Sequence, residues 1–284
     1  MAQRIDGKAV AAKLRQQMAG EVQELARQGV VPRLVVIIVG EDPASQLYVR
    51  NKMKACQEVG IDSQRIEMPE DTTQEALLEQ IDRLNQDPET DGILVQLPLP
   101  RQIDPQTVID AIDPEKDVDA FHPLTVGRME QGQPTFLPCT PAGILELLRE
   151  YHISAAGKHC VVVGRSRIVG RPMASLMLQQ DATVTVCHSR TPNLAEICRQ
   201  ADILITAAGK IGLITGDMIK EGAVVIDAAT VRGEDGKTHG DVVFDQAEPK
   251  ASFISPVPGG VGPMTVVMLL ENTILSARRR KLPR

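Results

Sequence analysis

Short apolar runs, each suited to a buried strand, alternate with helical apolar stripes along almost the whole chain. Residues 34–39 and 92–97 are such runs, and their lack of polar alternation is typical of parallel strands covered on both faces. Between them, residues 43–59 carry apolar side chains at three- and four-residue steps, which predicts a helix. Alternation of this kind predicts parallel sheets joined by crossover helices, and therefore an α/β fold.

The alternation forms two series, separated by a Pro- and Gly-rich stretch at residues 123–141. A length of 284 residues also suggests about two domains. We therefore expect two α/β domains with a cleft between them. The first covers residues 1–122 with a C-terminal helix at 263–284, and the second, a Rossmann-like dinucleotide-binding domain, covers 138–257. Helix starts are expected at a capping box formed by Thr72 and Glu75 and at the pair Thr140-Pro141.

Composition argues against several classes of partner. A formal net charge of −6 and an aromatic content of 2% disfavour nucleic acid, which needs clustered basic side chains or stacking platforms. No uncharged apolar run approaches the ~20 residues that span a bilayer, so no membrane partner is expected. The five scattered cysteines, without a CxxC pair, indicate reduced thiols and a cytoplasmic protein, and no metal site is expected from the five histidines. The basic run at residues 278–281 is interpreted as a helix C-terminus.

A strand, a tight turn and a helix start follow one another in the segment VVVGRSRIVGRP, residues 161–172. Gly164 allows the turn, and Gly170 allows close approach of a phosphate at the helix N-terminus, with Arg165 and Ser166 between them. The spacing is GxSxxxG and not GxGxxG, so an ordinary βα turn remains the alternative.

The next predicted strand, residues 182–187, ends without the Asp or Glu that NAD-specific sites place on the ribose. His188, Ser189 and Arg190 stand there instead, and Ser189 and Arg190 suit a 2′-phosphate together with Arg165. We therefore expect NADP as the cofactor. Solvated arginines and a structural strand-end histidine remain the alternatives.

A tyrosine and a lysine share one face of the helix predicted over residues 43–59. Ser45, Tyr48 and Lys52 stand at i, i+3 and i+7. The ring could pack on a flat ligand while the amine transfers a proton. The alternative is a surface lysine beside a half-buried tyrosine.

Two further polar positions are candidates. Gln96 lies inside an apolar strand, where an amide must find hydrogen-bond partners in the backbone or in a ligand. Asp117 and Asp119 follow in the acidic loop PEKDVD, where simple turn or capping roles are the alternative.

Taken together and in order, these segments resemble the bifunctional methylenetetrahydrofolate dehydrogenase/methenyltetrahydrofolate cyclohydrolase family. The resemblance covers nearly the full length. It rests on S-x-x-Y-x-x-x-K within residues 39–52, GILVQLPLP at 92–100, PEKDVD at 114–119, PCTP at 138–141, VVVGRSRIVGRP at 161–172 and PVPGGVGPMT at 256–265.

The resemblance implies a homodimeric enzyme with a folate in the cleft, the first domain being the folate-binding catalytic one and the second binding NADP. A hydride would pass from 5,10-methylenetetrahydrofolate to NADP+, and water would then convert the methenyl product to 10-formyltetrahydrofolate. Lys52 would be the key residue of the hydration step, Tyr48 would pack on the folate, Gln96 would tune the lysine and Asp119 would hold the pterin. The remaining implied contacts are Pro258, Gly259 and Gly260 beside the cleft and Thr230 in a loop that approaches the cofactor.

Two places depart from the family's pattern. Ala120 stands where many members have glycine, and residues 228–231 read Ala-Ala-Thr-Val where the family usually has V-G-I-N or C-G-I-N. The second change bears on cofactor preference and dehydrogenase efficiency. The alternatives are a cyclohydrolase with weak or lost dehydrogenase activity and a non-catalytic nucleotide-binding regulator on the same fold. Lys52 together with Gln96 argues against a dehydrogenase that lacks cyclohydrolase activity.

Overall fold

The computed structural model describes residues 2–282, which divide into two compact units. The six-stranded unit consists of the residues up to Ala12 together with Pro138–Thr265. The three-stranded unit consists of Lys13–Leu137 together with the residues from Val266 on. Each unit is built on a parallel sheet with helices, so the expected α/β class is confirmed.

The elements are numbered along the chain. The strands are β1 (Gln3–Arg4), β2 (Arg33–Val39), β3 (Asp62–Met68), β4 (Gly92–Val95), β5 (His159–Val163), β6 (Thr183–Cys187), β7 (Ile203–Thr206), β8 (Val224–Asp227), β9 (Val231–Arg232), β10 (Thr238–His239) and β11 (Phe253–Ile254). The helices are α1 (Gly7–Arg27), α2 (Pro43–Val59), α3 (Gln74–Gln86), α4 (Pro105–Ala111), α5 (Pro123–Glu130), α6 (Cys139–Glu150), α7 (Gly170–Gln179), α8 (Leu194–Cys198), α9 (Phe244–Ala247) and α10 (Val261–Lys281), with a 3₁₀ turn at Gly216–Met218. None of the helices within residues 2–282 is both long enough and apolar enough to cross a bilayer.

The three-stranded unit has the parallel order β3-β2-β4. Residues 34–39 of the central strand β2 are all buried, as the continuous apolar run predicts. Helix α3 supports this sheet with a stripe of buried side chains at helical spacing, Leu77, Ile81 and Leu84.

Buried charged groups in the three-stranded unit have hydrogen-bond or ion-pair partners within the unit. The Lys116 ammonium, 1% exposed, donates to the carbonyls of Leu84, Asn85 and Asp87, each at 2.7 Å, and so caps the end of α3. The buried Asp91 carboxylate accepts from Arg280 at 2.9 Å and from Lys281 at 3.0 Å. Two cations of the C-terminal basic run are therefore ion-paired inside this unit.

The six-stranded unit has the parallel order β1-β11-β8-β7-β5-β6. The chain starts this series at β5, adds β6 on one side and then places β7 on the other. Such a reversal is a topological switch point, and the carboxyl ends of the strands at this place form the usual ligand crevice of α/β sheets.

The structure divides the chain differently from the expected domains at three places. The six-stranded unit extends past 257 to Thr265, so the first residues of the helix expected at 263–284 belong to it. Gln3 and Arg4 pair with Phe253 and Ile254, so the residues up to Ala12 belong to the six-stranded unit and not to a domain 1–122. Residues 123–137 carry helix α5 and belong to the three-stranded unit. Strand β1 was not predicted because an edge strand of two residues shows no periodicity. Helix α5 was not predicted because the prolines in 123–141 indicate a loop, although one of them is the first residue of the helix.

Both expected helix starts are displaced by one or two residues. Helix α3 is capped by Thr73, whose hydroxyl accepts from Ala76 N at 3.2 Å, whereas the Thr72 hydroxyl donates to a backbone carbonyl. Helix α6 already begins at Cys139, so Thr140 lies inside it and shares a 3.0 Å hydrogen bond with the Thr265 hydroxyl. Neighbouring threonines offer the same cap chemistry, and only the backbone geometry selects one of them.

Candidate functional site

A lysine from helix α2 and a glutamine that follows strand β4 meet in the three-stranded unit. Lys52 Nζ donates to Gln96 Oε1 at 3.0 Å. The Gln96 amide nitrogen donates to the carbonyl of Leu97 at 2.6 Å, and its backbone N–H donates to Ile37 at 2.9 Å. Because the NH₂ group is already engaged, the amide oxygen is left to face the lysine. Gln96 thus lies just after the strand in which it was expected, and its partly buried amide has partners in both the backbone and the lysine.

Helix α2 fixes the position of this lysine. Its N-terminus is capped by Asp42, which accepts from Ser45 N at 2.8 Å, and it ends at Gly60 in the left-handed conformation, φ 86°. Ser45 is buried, whereas Tyr48 is 44% exposed and Lys52 is half-buried. The helix therefore presents the ring and the amine on an accessible side, where a flat ligand could be bound.

The loop that carries Asp119 is tied to the three-stranded unit on both sides. Ile93 N donates to the carbonyl of Lys116 at 2.9 Å, and Asn272 donates to the carbonyl of Val118 at 2.8 Å. The Asp117 carboxylate accepts from the backbone N–H of His122 at 2.8 Å. Burial raises the pKa of Asp117 to about 6. Asp119 is half-buried in a loop whose backbone is fixed by these bonds.

Two glycines shape the turn between β5 and α7. A Cβ on Gly164, φ 136°, would lie 2.4 Å from the Ala207 carbonyl oxygen, and one on Gly170 would lie 2.3 Å from the Gly164 oxygen. The Ser166 hydroxyl accepts from Val169 N at 3.1 Å and from Gly170 N at 3.3 Å. Only glycine allows this close approach, and the helix start it creates is suited to a phosphate group.

The loop after β6 lies next to this turn. Gly164 N donates to the Cys187 carbonyl at 2.9 Å, which joins the ends of β5 and β6. His188 Nδ1 accepts from Arg190 N at 3.1 Å, so the histidine holds the turn that presents Ser189 and Arg190 to solvent. Arg165 is exposed as well. The residues expected to meet a 2′-phosphate are thus accessible at one edge of the sheet.

The other predicted contact residues also lie in the six-stranded unit. Thr230 is exposed just before the hairpin of β9 and β10. The loop of Pro258, Gly259 and Gly260 packs on the start of α1: Lys8 N donates to the Gly259 carbonyl at 3.1 Å, and a Cβ on Gly7 would overlap the Gly260 oxygen. By contrast, Tyr48, Lys52, Gln96 and Asp119 all belong to the three-stranded unit.

Cysteine chemistry does not contribute to these sites. All five cysteines are free and buried, and burial raises the pKa of the Cys56, Cys160 and Cys198 thiols to about 12. Within residues 2–282, no three His, Cys, Asp or Glu side chains are grouped as ligands for a metal ion.

Two family models match the chain. "Tetrahydrofolate dehydrogenase/cyclohydrolase, catalytic domain" matches residues 5–119, and the corresponding "NAD(P)-binding domain" matches residues 138–281. The chain belongs to this family. A curated relative from Bacillus anthracis, "Bifunctional protein FolD", is 57% identical over 275 residues, which are 97% of this chain and 96% of the relative.

Solved structures of the tetrahydrofolate dehydrogenase/cyclohydrolase family agree. The bifunctional FolD enzyme from Campylobacter jejuni superimposes with a TM-score of 0.97 at 48% identity, covering 99% of this chain and all of that one. The Trypanosoma brucei enzyme, solved with NADP and an inhibitor, gives a TM-score of 0.94 at 44% identity and 98% coverage of both chains.

Family membership confirms the main functional expectations. The chain is an enzyme with the paired dehydrogenase and cyclohydrolase activities, and it carries an NAD(P)-binding domain, in agreement with the NADP expected from the sequence. The turn that Gly164 and Gly170 form is compatible with this cofactor, because a Cβ at either glycine would overlap a backbone carbonyl and the helix start is therefore shaped by bare backbone.

Two buried carboxylates of the six-stranded unit, Asp227 and Asp241, are not among the candidates predicted from the sequence. Asp227 ends the apolar strand β8, and an acid at the end of a buried strand is a detectable signal. Asp241 lies in a loop and offers no such signal.

Proposed function

We propose that the chain oxidises 5,10-methylenetetrahydrofolate with NADP+ and then hydrolyses the methenyl product, with Lys52 as the proton carrier of the hydrolysis. The observation that carries this proposal is the 3.0 Å hydrogen bond between Lys52 Nζ and Gln96 Oε1. Hydrolysis adds water to the methenyl carbon and then breaks one of its C–N bonds, giving the 10-formyl product. A proton must leave the attacking water and another must reach the departing nitrogen, and a positioned amine can serve both steps.

A neutral partner suits this role of the lysine. An acidic partner would hold the amine in an ion pair, which would have to break before the amine could reach the attacking water or the departing nitrogen. Gln96 orients the amine through its amide oxygen without adding a negative charge. Gln96 is therefore proposed to tune Lys52 by holding its amine in position.

Tyr48 and Asp119 are proposed as the folate contacts. The Tyr48 ring is accessible on the same helix face as Lys52 and can pack on the pterin. The Asp119 carboxylate can accept the N–H donors of a reduced pterin more strongly than a neutral amide could.

NADP supplies the hydride acceptor when it is bound. We propose that the turn with Gly164, Ser166 and Gly170 receives its diphosphate at the start of α7, because backbone N–H groups at a helix N-terminus favour anions. Arg165, Ser189 and Arg190 are proposed to bind the 2′-phosphate. Thr230 and the loop Pro258, Gly259 and Gly260 remain proposed contacts of the cofactor and of the folate.

A spectrophotometric assay that follows methenyl and reduced-nicotinamide absorbance separately tests the proposal. With methylenetetrahydrofolate and NADP+, reduced cofactor should accumulate while methenyl absorbance rises and then decays. NAD+ should support a slower reaction at equal concentration. If methenyl-folate is hydrolysed but neither cofactor is reduced, the chain is a cyclohydrolase whose dehydrogenase is lost, as the Ala-Ala-Thr-Val sequence at 228–231 permits.

At the level of domains, we propose that the three-stranded unit binds the folate and the six-stranded unit binds NADP. A homodimer is proposed from the family resemblance, and light scattering on the purified protein would test it. The five free cysteines support a cytoplasmic location, where thiols stay reduced.

A further inference from the structure

Two carboxylates are buried at the carboxyl ends of strands β7 and β8 in the six-stranded unit. Asp227 is the last residue of β8 and is 3% exposed, and Asp241, in the segment after β10, is fully buried. Neither has a role in the reaction described above.

Backbone N–H groups and one hydroxyl surround both carboxylates. Asp227 Oδ1 accepts from Thr206 Oγ1 at 3.2 Å and from Ala229 N at 3.0 Å, and its Oδ2 accepts from Val242 N at 2.8 Å. The Asp241 carboxylate accepts from Ala208 N at 2.6 Å and from Lys210 N at 2.7 Å. The two acids therefore tie together three loops: residues 207–210 after β7, residues 228–230 after β8, and residues 240–243.

The fit of this cluster is tight. A Cβ on Gly240 would lie 2.0 Å from Asp227 Oδ2, so the glycine leaves the space that the carboxylate fills. Burial raises the pKa of Asp227 to about 6 and also raises the pKa of Asp241 above its usual range. Two buried acids are costly, and a stable core alone does not require them. A carboxylate, however, can accept N–H groups on both oxygens, which an amide cannot do.

The tied loops border the place where a dinucleotide is expected. The Ala207 carbonyl, at the start of one loop, is the group that excludes any side chain from Gly164 in the phosphate turn. In switch-point sheets the adenosine half of the dinucleotide lies toward the strand on one side of the turn, which here is β6. The nicotinamide half extends past the strands on the opposite side, which here are β7 and β8. The nicotinamide ring would then lie at the loops that follow β7 and β8.

We propose that Asp227 and Asp241 are positioning residues for hydride transfer, fixing the loops after β7 and β8 that set the place of the nicotinamide ring. This inference rests on the proposed NADP-dependent dehydrogenase. The two acids act through the backbone of these loops, and the cyclohydrolase step, which uses no nicotinamide, does not depend on them.

Asp241→Asn and Asp227→Asn test the proposal in the full-length protein, because an amide turns a donor toward N–H groups. A displacement of about 1 Å can cost about 100-fold in rate, so we expect hydride transfer in single turnover to slow by about 10–100-fold. The KM for NADP+ should stay within about threefold, since the phosphate contacts lie elsewhere. Hydrolysis of added methenyl-folate should keep its wild-type rate. Thr206→Val, which removes one hydroxyl from the cluster, should show the same pattern with a smaller loss.

Asp202→Asn is the matched control. Asp202 also accepts a backbone N–H, from His159 at 2.9 Å, but at the opposite, amino edge of the same sheet, where it pairs with Lys220. Its hydride-transfer rate should equal that of the wild type.

Three results would overturn the proposal: unchanged hydride transfer in both cluster variants, an equal loss of both activities, or a higher KM for NADP+ with an unchanged rate at saturation. The wild-type assay with NADP+ comes first. If the wild type did not reduce NADP+, the proposed dehydrogenase activity would be refuted. That result is distinct from a failure of the positioning role, which is judged from the variants of an active wild type.

Discussion

The two units form their candidate sites in different ways, one from side chains and the other from the backbone. In the three-stranded unit, the proposed chemistry depends on side chains, above all the amine of Lys52 and the amide of Gln96. In the six-stranded unit, the turn proposed to bind the cofactor, called the cofactor turn below, is formed by the backbone, and its shape depends on side chains being absent at Gly164 and Gly170.

This difference predicts two kinds of mutational behaviour. Removing a functional side chain from helix α2 should abolish one chemical step and leave the fold intact. Adding a methyl group to the cofactor turn should disturb folding and cofactor binding together, because the turn is part of the packing between β5 and α7. The following experiments test how strictly this division holds.

The largest effect is expected for Lys52→Met. Methionine keeps the length of the side chain but cannot carry a proton, and acid–base catalysis typically contributes about 10²–10⁴-fold. Cyclohydrolase activity should fall by this factor while the dehydrogenase remains measurable, so methenyl-folate accumulates. Hydride transfer needs alignment of two carbons but no protein proton carrier.

The control for this variant is Lys54→Met, which removes an exposed amine from the same helix. It should keep both activities. If Lys52→Met hydrolysed methenyl-folate at the wild-type rate, or if it lost only cofactor binding, Lys52 would not be the proton carrier of the hydrolysis.

Gly170→Ala should give the next largest effect. Its Cβ would lie 2.3 Å from the Gly164 oxygen, so the turn must open, and overpacking of this kind costs about 1–3 kcal/mol of unfolding free energy. We expect a lower Tm together with weaker NADP+ binding, measured by thermal unfolding and by titration.

Gly20→Ala provides the comparison, because a Cβ there meets nothing within 4 Å and alanine favours the helix by about 1 kcal/mol. If Gly170→Ala bound NADP+ as the wild type does and kept its Tm, the turn would be more adaptable than its packing indicates.

The same difference explains which features could be predicted from the sequence. Gln96 was detectable because a polar residue within an apolar run needs hydrogen-bond partners, although it lies just after β4 and not inside it. Strand β2 was detectable from its unbroken apolar run. The turn at Gly164 was detectable because spaced glycines indicate places where backbone segments approach each other closely. Strand β1 was not, since two residues show no period and their pairing with β11 is settled by tertiary contacts.

The same limit applies to charged residues in loops. Lys116 and Asp117 stand in a sequence that looks like an acidic turn, yet both are buried and hold backbone groups. Burial of a charge at a loop position depends on which chain segments surround it, and those segments are distant in sequence: Lys116 caps α3, about thirty residues earlier.

Arg165→Ala tests whether the six-stranded unit also uses a side chain for specificity. We expect NADP+ binding to weaken by about 1–3 kcal/mol, the value of a charge-assisted hydrogen bond, with a much smaller loss for NAD+. Titration of both cofactors into wild type and variant measures this. Equal losses for the two cofactors would mean that Arg165 does not meet the 2′-phosphate.

The buried Asp117 gives the three-stranded unit a pH dependence of stability. Burial raises its pKa to about 6 in the folded state, whereas an unfolded aspartate titrates near 3.9, so the folded protein binds more protons between these values. The contribution of this group to stability is therefore present below pH ~4 and is lost as the pH rises to ~6, by about 2–3 kcal/mol.

In Asp117→Asn this titration is absent. We subtract the unfolding free energy of the variant from that of the wild type at each pH from 4 to 7. This difference should fall as the pH rises, because only the wild type loses the contribution of Asp117. A difference that does not change with pH would show that Asp117 is as solvated as an ordinary surface carboxylate.

The smallest effect is expected for Ala120→Gly, next to Asp119. Ala120 is buried at φ 62°, a left-handed conformation that costs a non-glycine residue about 1–2 kcal/mol. Glycine would remove that strain, but it would also give up about 0.8 kcal/mol of methyl burial and about 0.4–1 kcal/mol of chain entropy. These terms nearly cancel, so we expect the unfolding free energy to change by less than about 1 kcal/mol, with both activities retained. Chemical denaturation of wild type and variant measures the change, and a loss above about 2 kcal/mol would mean that methyl packing outweighs the strain. The near cancellation accounts for an alanine at a position where the family's pattern has glycine.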